Sequence, residues 1–243
     1  MEDHIIKVDH LTKKFGSFIA NDDLSFFVKR GEVFGFLGAN GAGKTTAMKI
    51  LCGLLLPTKG RIEVAGFDVS SQSNKVKKNI GYMSQKFSLY EDMTIRENFR
   101  FYGGIYGMSG KAIREKTSHY LKKLGLEKEA HSVISSLPLG WKQKLAFSVA
   151  VMHDPKIIFL DEPTGGVDPV TRRQFWEMIY EAAATATTVF VTTHYMDEAE
   201  YCQRVSIMVE GRIEALDKPE ELKKQFEADS MEEVFIKIAR GQN

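Results

Sequence analysis

Short apolar runs alternate with turns along the first ninety residues. Ile5–Val8, Leu24–Val28, Val33–Leu37, Arg61–Val64 and Ile80–Met83 have the length and apolar content of strands. One long helix is clear in this stretch, following Val33–Leu37. From Thr94 to about Met152 the period changes. Ile95, Phe99, Tyr102 and Tyr106 recur at helical spacing, Ala112–Leu124 reads as an amphipathic helix ending at Gly125, and no strand is convincing. From Lys156 the alternation returns, through Ile157–Leu160, Val170–Ala183, Thr187–Thr192, Met196–Gln203 and Val205–Val209. Pro219–Arg240 looks helical and charged, with Val234-Phe235-Ile236 as an apolar patch. The pattern predicts an α/β core interrupted by a helical insert. It also predicts a mainly parallel sheet with helices on its faces and with strand ends near the ligand.

Composition narrows the picture modestly. The 243 residues suffice for one large domain or two lobes, and a formal net charge of +1 gives no reason to expect nucleic acid. No apolar run approaches the roughly 18 residues of a membrane span. Met1-Glu2-Asp3-His4 lacks the basic-then-apolar order of a signal peptide. The two cysteines, Cys52 and Cys202, lie far apart and suggest neither a disulfide framework nor a metal site; Cys52 reads as a small core residue. The expectation is a cytoplasmic protein whose link to any membrane comes from a partner.

The most specific chemistry lies at residues 38–46, Gly-Ala-Asn-Gly-Ala-Gly-Lys-Thr-Thr, directly after an apolar strand. Gly38, Gly41 and Gly43 let the backbone turn tightly, so that its N–H groups point inward at a polyphosphate. Asn40 and Thr46 belong to the same loop. Lys44 reaches the β- and γ-phosphates, and Thr45 offers a hydroxyl to Mg²⁺. The helix beginning here adds the positive end of its dipole. The segment predicts nucleoside triphosphate binding.

A second half-site follows from Ile157-Ile158-Phe159-Leu160-Asp161-Glu162, an apolar strand ending in two acids. Paired carboxylates at a buried strand tip are unfavourable unless a cation compensates them. Asp161 would hold Mg²⁺, directly or through water, and Glu162 would face the attacking water as general base. His194, at the end of another strand, could hydrogen-bond a γ-phosphate and sense hydrolysis. Gln85, after Ile80–Met83, offers an uncharged amide to metal or water. Taken alone, each of these also fits a strand that simply meets solvent.

Together the motifs resemble, in order, those of the nucleotide-binding subunit of an ATP-binding cassette transporter, over about residues 4–225. That resemblance implies a P-loop NTPase fold: a mainly parallel sheet, an N-terminal antiparallel β portion and a helical subdomain inserted at about 94–153, with 226–243 as a short tail. It implies that Phe15 stacks on adenine, that Gly38–Thr46 is the Walker A loop, and that Asp161 and Glu162 are the Walker B acid and catalytic glutamate. Gln85 matches the loop that couples nucleotide to the transmembrane partner. Asp168, in Gly166-Val167-Asp168, matches a contact to the opposite subunit, and His194 the switch histidine. The implied cofactors are ATP and Mg²⁺. The implied partners are a second cassette, in a homodimer or heterodimer, and a transmembrane permease that holds the chain at the cytoplasmic face of the membrane. Two cassettes would pair head to tail, so a monomer is expected to bind ATP but hydrolyse it poorly.

One motif departs from the family pattern. Where the family has Leu-Ser-Gly-Gly-Gln, which clamps the γ-phosphate held by the facing subunit, this chain has Leu137-Pro138-Leu139-Gly140-Trp141. Pro138 has neither hydroxyl nor backbone N–H, and Leu139 adds bulk. Gly140 and the helix N-terminus remain available. Two outcomes stay open: a tolerated variant, or one half of an asymmetric pair with a weakened composite site.

Gln85–Thr94 resembles the equivalent stretch of bacterial export cassettes, and Met231–Ile236 the tail of drug, lipid and polysaccharide exporters. Phe87, Leu89 and Tyr90 read either as a socket for the membrane subunit or as core of the helical insert. The tail motif reads equally as a helix packed on its own domain. The alternatives to an exporter ATPase are a soluble single-cassette ATPase or assembly factor, and an ATP switch with a degenerate signature.

Overall fold

The computed structural model describes residues 3–85 and 89–241. β1 (His4–Phe15) and β2 (Phe18–Lys29) form a long antiparallel hairpin, and β3 (Val33–Gly38) then enters the centre of a second sheet. Every residue of β3 is buried, which suits a strand covered on both faces. α1 (Lys44–Leu51) follows the phosphate loop, and β4 (Lys59–Val64) returns to pair antiparallel with β1. β5 (Phe67–Asp68), α2 (Ser73–Asn79) and β6 (Ile80–Met83) complete the first part.

Three helices then run without a strand among the described residues: α3 (Ile95–Ile105), α4 (Gly110–Leu124) and α5 (Leu139–Val151). Local chemistry fixes their ends. Thr94 and Glu97 form a reciprocal capping box at the start of α3. Ser109 caps α4, and Gly125, at φ 69°, ends it in the left-handed conformation. The chain re-enters the core as β7 (Ile157–Asp161), α6 (Pro169–Ala184), β8 (Thr188–Thr193), a short 3-10 helix (Met196–Tyr201), β9 (Arg204–Val209) and β10 (Arg212–Asp217). α7 (Pro219–Gln225) and α8 (Met231–Ala239) close it.

The antiparallel sheet has the order β2-β1-β4-β5, and the six-stranded sheet the order β10-β9-β3-β8-β7-β6. In the latter all neighbours are parallel except β10, which pairs antiparallel with β9 at the edge. Between the two sheets and α1 lies one core, in which Phe26, Phe34, Phe36 and Phe190 form a ring cluster. The other face of the six-stranded sheet buries Phe147, Phe175, Trp176 and Ile179, together with apolar residues of α3–α5. This is the α/β fold expected: a mainly parallel sheet, an N-terminal antiparallel portion and inserted helices.

Several elements differ from the sequence reading. α2 has one buried residue, Val76, and therefore no amphipathic period to detect. β5 is two residues long, and β10 is an edge strand with only Ala215 buried. The stretch 219–240 is two helices. Glu227, at φ 49°, breaks the first, and the Ser230 side chain accepts the Glu233 N–H to start the second. Met231, Val234 and Ile238 are buried in the main core, and α8 packs against the helix Met196–Tyr201.

Candidate functional site

Parallel register assembles the site. Met83 pairs with Leu160, Asp161 with Thr192, and Leu37 with Thr193. The C-terminal ends of β6, β7, β8 and β3 therefore finish at one edge, where Gln85, Asp161, Glu162, His194 and the phosphate loop meet.

The loop glycines are required sterically as well as for flexibility. A Cβ on Gly43, at φ 99°, would stand 2.2 Å from the Ala20 carbonyl oxygen, and one on Gly38 would stand 2.5 Å from that of Met208. Gly41 adopts φ 84° in open space. The β1–β2 hairpin braces the loop, with Asn21 Nδ2 donating to the Gly43 carbonyl at 3.1 Å. Phe15 stands at that hairpin's tip, 49% exposed, with the Lys13 ammonium 4.9 Å from its ring centre. Asn40 is exposed at the loop tip and Thr46 is half-buried in the first turn of α1.

Lys44 is buried and donates to the carbonyls of Gly38 at 2.7 Å and Ala39 at 3.0 Å. Its Nζ is 3.7 Å from Glu162 Oε1. Desolvation lowers its pKa, against the opposing pull of Glu162 and Asp161. Asp161 is also buried; it accepts from the hydroxyls of Thr192 at 2.6 Å and Thr45 at 3.2 Å. Burial raises its carboxyl above the usual range, and the two hydroxyls work against that shift.

Glu162 has φ 48°, a left-handed conformation unusual for a side chain of this size. Its own N–H secures it, donating to the Thr192 carbonyl at 3.0 Å, with the Thr192 hydroxyl at 3.1 Å. The carboxylate consequently turns across the sheet edge. Gln85 Nε2 donates to its Oε2 at 2.8 Å, and His194 Nδ1 lies 3.0 Å from the same oxygen without hydrogen-bond alignment.

These residues fit Mg²⁺ and a polyphosphate. Among the described residues no group of three His, Cys, Asp or Glu side chains could hold a metal alone. One carboxylate and one hydroxyl 3.2 Å apart suit an ion that takes its remaining oxygens from phosphate and water. Gln85, expected near metal or water, turns its amide nitrogen to Glu162.

The signature stretch is set apart. Pro138, Leu139 and Gly140 line a separate cleft with Gly166, Asp168 and Thr171 that includes no phosphate-loop residue. Pro138 is the N-cap of α5, contributes no side-chain cap, and follows Leu137. Leu139 is 45% exposed. A Cβ on Gly140 would stand 2.7 Å from Thr171 Cγ2, so this glycine sets how closely α5 approaches α6. Asp168 caps α6, accepting from the Val170 and Thr171 N–H groups at 3.0 Å each and from the Thr171 hydroxyl at 2.6 Å. Those bonds hold its carboxyl below the usual range. Phe87 lies outside the described residues. Leu89 belongs to the core of the helical insert rather than to a surface socket, while Tyr90 is exposed edge-on to Phe101.

Thr192 and Gln143 are among the partners the sequence reading missed. Thr192 reads from sequence only as part of a strand; its signal is a hydroxyl residue directly after the buried run Val189–Val191. Gln143 is buried in α5 and holds the Gly165 carbonyl at 3.1 Å, and nothing in its spacing marks that role.

Residues 21–165 match the family model described as ABC transporter. The chain is 48% identical over 239 residues to the probable multidrug ABC transporter ATP-binding protein YbhF of Escherichia coli, across 96% of this chain and 41% of that protein. It thus spans about two fifths of that relative's length. It is 37% identical to Nod factor export ATP-binding protein I of a Rhizobium species, across 92% of this chain and 74% of the relative. Among solved structures it resembles a dimeric ATP-binding cassette, MJ0796, in a post-hydrolysis state bound to ADP and Pi. The TM-score there is 0.79 with 26% identity, covering 88% of this chain and 98% of the other.

Proposed function

The chain belongs to the ABC transporter family, and on that premise we propose that it binds and hydrolyses Mg-ATP to drive an exporter. The observation that carries this reading is the convergence on Glu162 of Lys44 at 3.7 Å, Gln85 at 2.8 Å and His194 at 3.0 Å, beside the Thr45–Asp161 pair.

Gly38, Gly41 and Gly43 shape the loop backbone around the phosphates, Asn40 and Thr46 complete the cradle, and Phe15 stacks on the base. Lys44 exchanges its loop carbonyls for phosphate oxygens, a charge-assisted substitution. Thr45 and Asp161 would hold Mg²⁺, which would supply charge neutralisation to the polyphosphate. Glu162 accepts a proton from the attacking water. Gln85 and His194 flank its carboxylate, so rotation of either alters its aim.

Pairing with a second cassette is supported by the cleft that Pro138–Gly140 and Asp168 form away from their own chain's phosphate loop. Among the described residues no helix is long and apolar enough to cross a membrane. The names of relatives described as ABC transporter and export ATP-binding proteins support a transmembrane permease that carries the cargo, with this cassette at its cytoplasmic face. Export, rather than import, follows from the relatives' roles in multidrug handling and Nod factor export.

The test is Mg-ATP hydrolysis by the purified chain across a protein-concentration series, with a Glu162→Gln control. Turnover rising faster than linearly, and lost in the control, supports a self-pairing ATPase. Turnover proportional to concentration sinks the self-pairing, turnover surviving in Glu162→Gln sinks Glu162 as the base, and no turnover at any concentration sinks hydrolysis by this chain alone.

A further inference from the structure

His194 does not stand alone behind Glu162. Its ring centre is 4.2 Å from that of Tyr195, and the Arg172 guanidinium carbon lies 4.5 Å from the Tyr195 ring centre. The cation over the phenol ring, and the imidazole tilted 35° against that ring, therefore form a continuous row of contacts ending beside the Glu162 carboxylate. Its far end is fixed. Arg172 sits on α6, which is anchored by the buried Phe175, Trp176 and Ile179.

Arg172 also grips the chain beyond the histidine. Its Nη1 lies 3.3 Å from Asp197 Oδ2, and its Nε 3.7 Å from Oε1 of the fully buried Glu198. That same Glu198 oxygen accepts the Thr164 hydroxyl, from the loop just after Glu162. Arg172 Nε and Glu198 Oε2 have no hydrogen-bond partner among the described residues. A guanidinium held by charge and stacking, with slack remaining in its hydrogen bonds, can keep a neighbouring segment in place while letting it turn.

We propose that Arg172 and Tyr195 are positioning residues for His194: their contacts set the imidazole plane and so hold Nδ1 3.0 Å from Glu162 Oε2. Neither residue touches the reacting atoms. The inference rests on the reading of His194 as part of the hydrolytic site.

The test uses the full chain with Tyr195→Leu, Tyr195→Phe and Arg172→Lys, each alone and with His194→Ala, in single-turnover hydrolysis. The His194 Cε1–H resonance is followed in parallel by NMR. Tyr195→Leu should lower the hydrolysis rate roughly tenfold while KM changes by less than about twofold, and Tyr195→Phe should restore it. In the His194→Ala background the Tyr195 and Arg172 changes should have no further effect, because they act through the missing ring. The His194 resonance should move in Tyr195→Leu and Arg172→Lys, whereas that of His153 should not. An equal loss in the His194→Ala background, or an unmoved His194 resonance, overturns the proposal. If Arg172→Lys does not fold, Tyr195→Leu still decides, since it leaves no buried charge unpaired. If the wild-type chain shows no turnover, the hydrolysis reading fails by itself, and the resonance still judges this one.

Discussion

Thr45 Oγ1 stands 3.2 Å from Asp161 Oδ1, although the two are separated by 116 residues of sequence. Their meeting depends on β7 and β3 each pairing in parallel with β8, which brings both strand ends to one edge. Replacing Asp161 by Asn should have two effects of opposite sign. Burial raises the Asp161 pKa, so the metal-free fold favours the neutral acid and loses stability as pH rises through that raised value. Asp161→Asn should therefore raise the unfolding midpoint at neutral pH without Mg²⁺. It should also weaken Mg²⁺ dependence of nucleotide binding by about tenfold or more. Thermal melts with and without Mg²⁺, and with EDTA, read both.

Glu162→Gln removes the base and leaves the backbone and its Thr192 bonds in place. Hydrolysis should fall by about 10²–10⁴-fold while ATP affinity stays near that of the wild type. Size-exclusion chromatography with ATP should show a longer-lived pair of cassettes.

His153 provides a pH signature remote from the nucleotide. It stacks on Tyr106, with ring centres 3.5 Å apart, and its Nε2 meets the Ile80 carbonyl at 3.0 Å. Burial lowers its pKa from 6.5 to about 4. The unfolded chain thus takes up a proton first as pH falls, and stability should drop between pH 6.5 and 4, by at most about 3 kcal/mol. Urea midpoints measured across that range should lose this slope in His153→Gln.

Gly140→Ala places a methyl 2.7 Å from Thr171 Cγ2. The expected cost is about 1–3 kcal/mol, with much of it recovered in a double variant carrying Thr171→Ser, which removes that methyl and keeps the hydroxyl bound to Asp168. Denaturation of the four members of the cycle measures the coupling.

Pro138→Ser supplies the hydroxyl that the α5 N-terminus lacks. The serine should accept an N–H from the first turn and stabilise the chain by about 1 kcal/mol, seen as a higher melting temperature.

The chemistry was legible in sequence where backbone and side chain must cooperate. A glycine loop before Lys44-Thr45 and an apolar strand ending in Asp161-Glu162 admit few other uses. The partners that tune these groups were not legible. Thr192, Gln143 and Arg172 act across elements, and their spacing along the chain carries no trace of the contact. Elements that bury little, such as α2 with Val76 alone, left no period to read. The break between α7 and α8 depends on a left-handed Glu227, a residue type that seldom announces such a turn.

α8 is anchored by Met231, Val234 and Ile238 and rests against the helix that follows His194. A tether or bulky label attached beyond residue 239 would thus pull on a lever whose short arm is the histidine segment. Reporter groups meant to be silent are better placed on the exposed faces of α4 than on α8 or just beyond it.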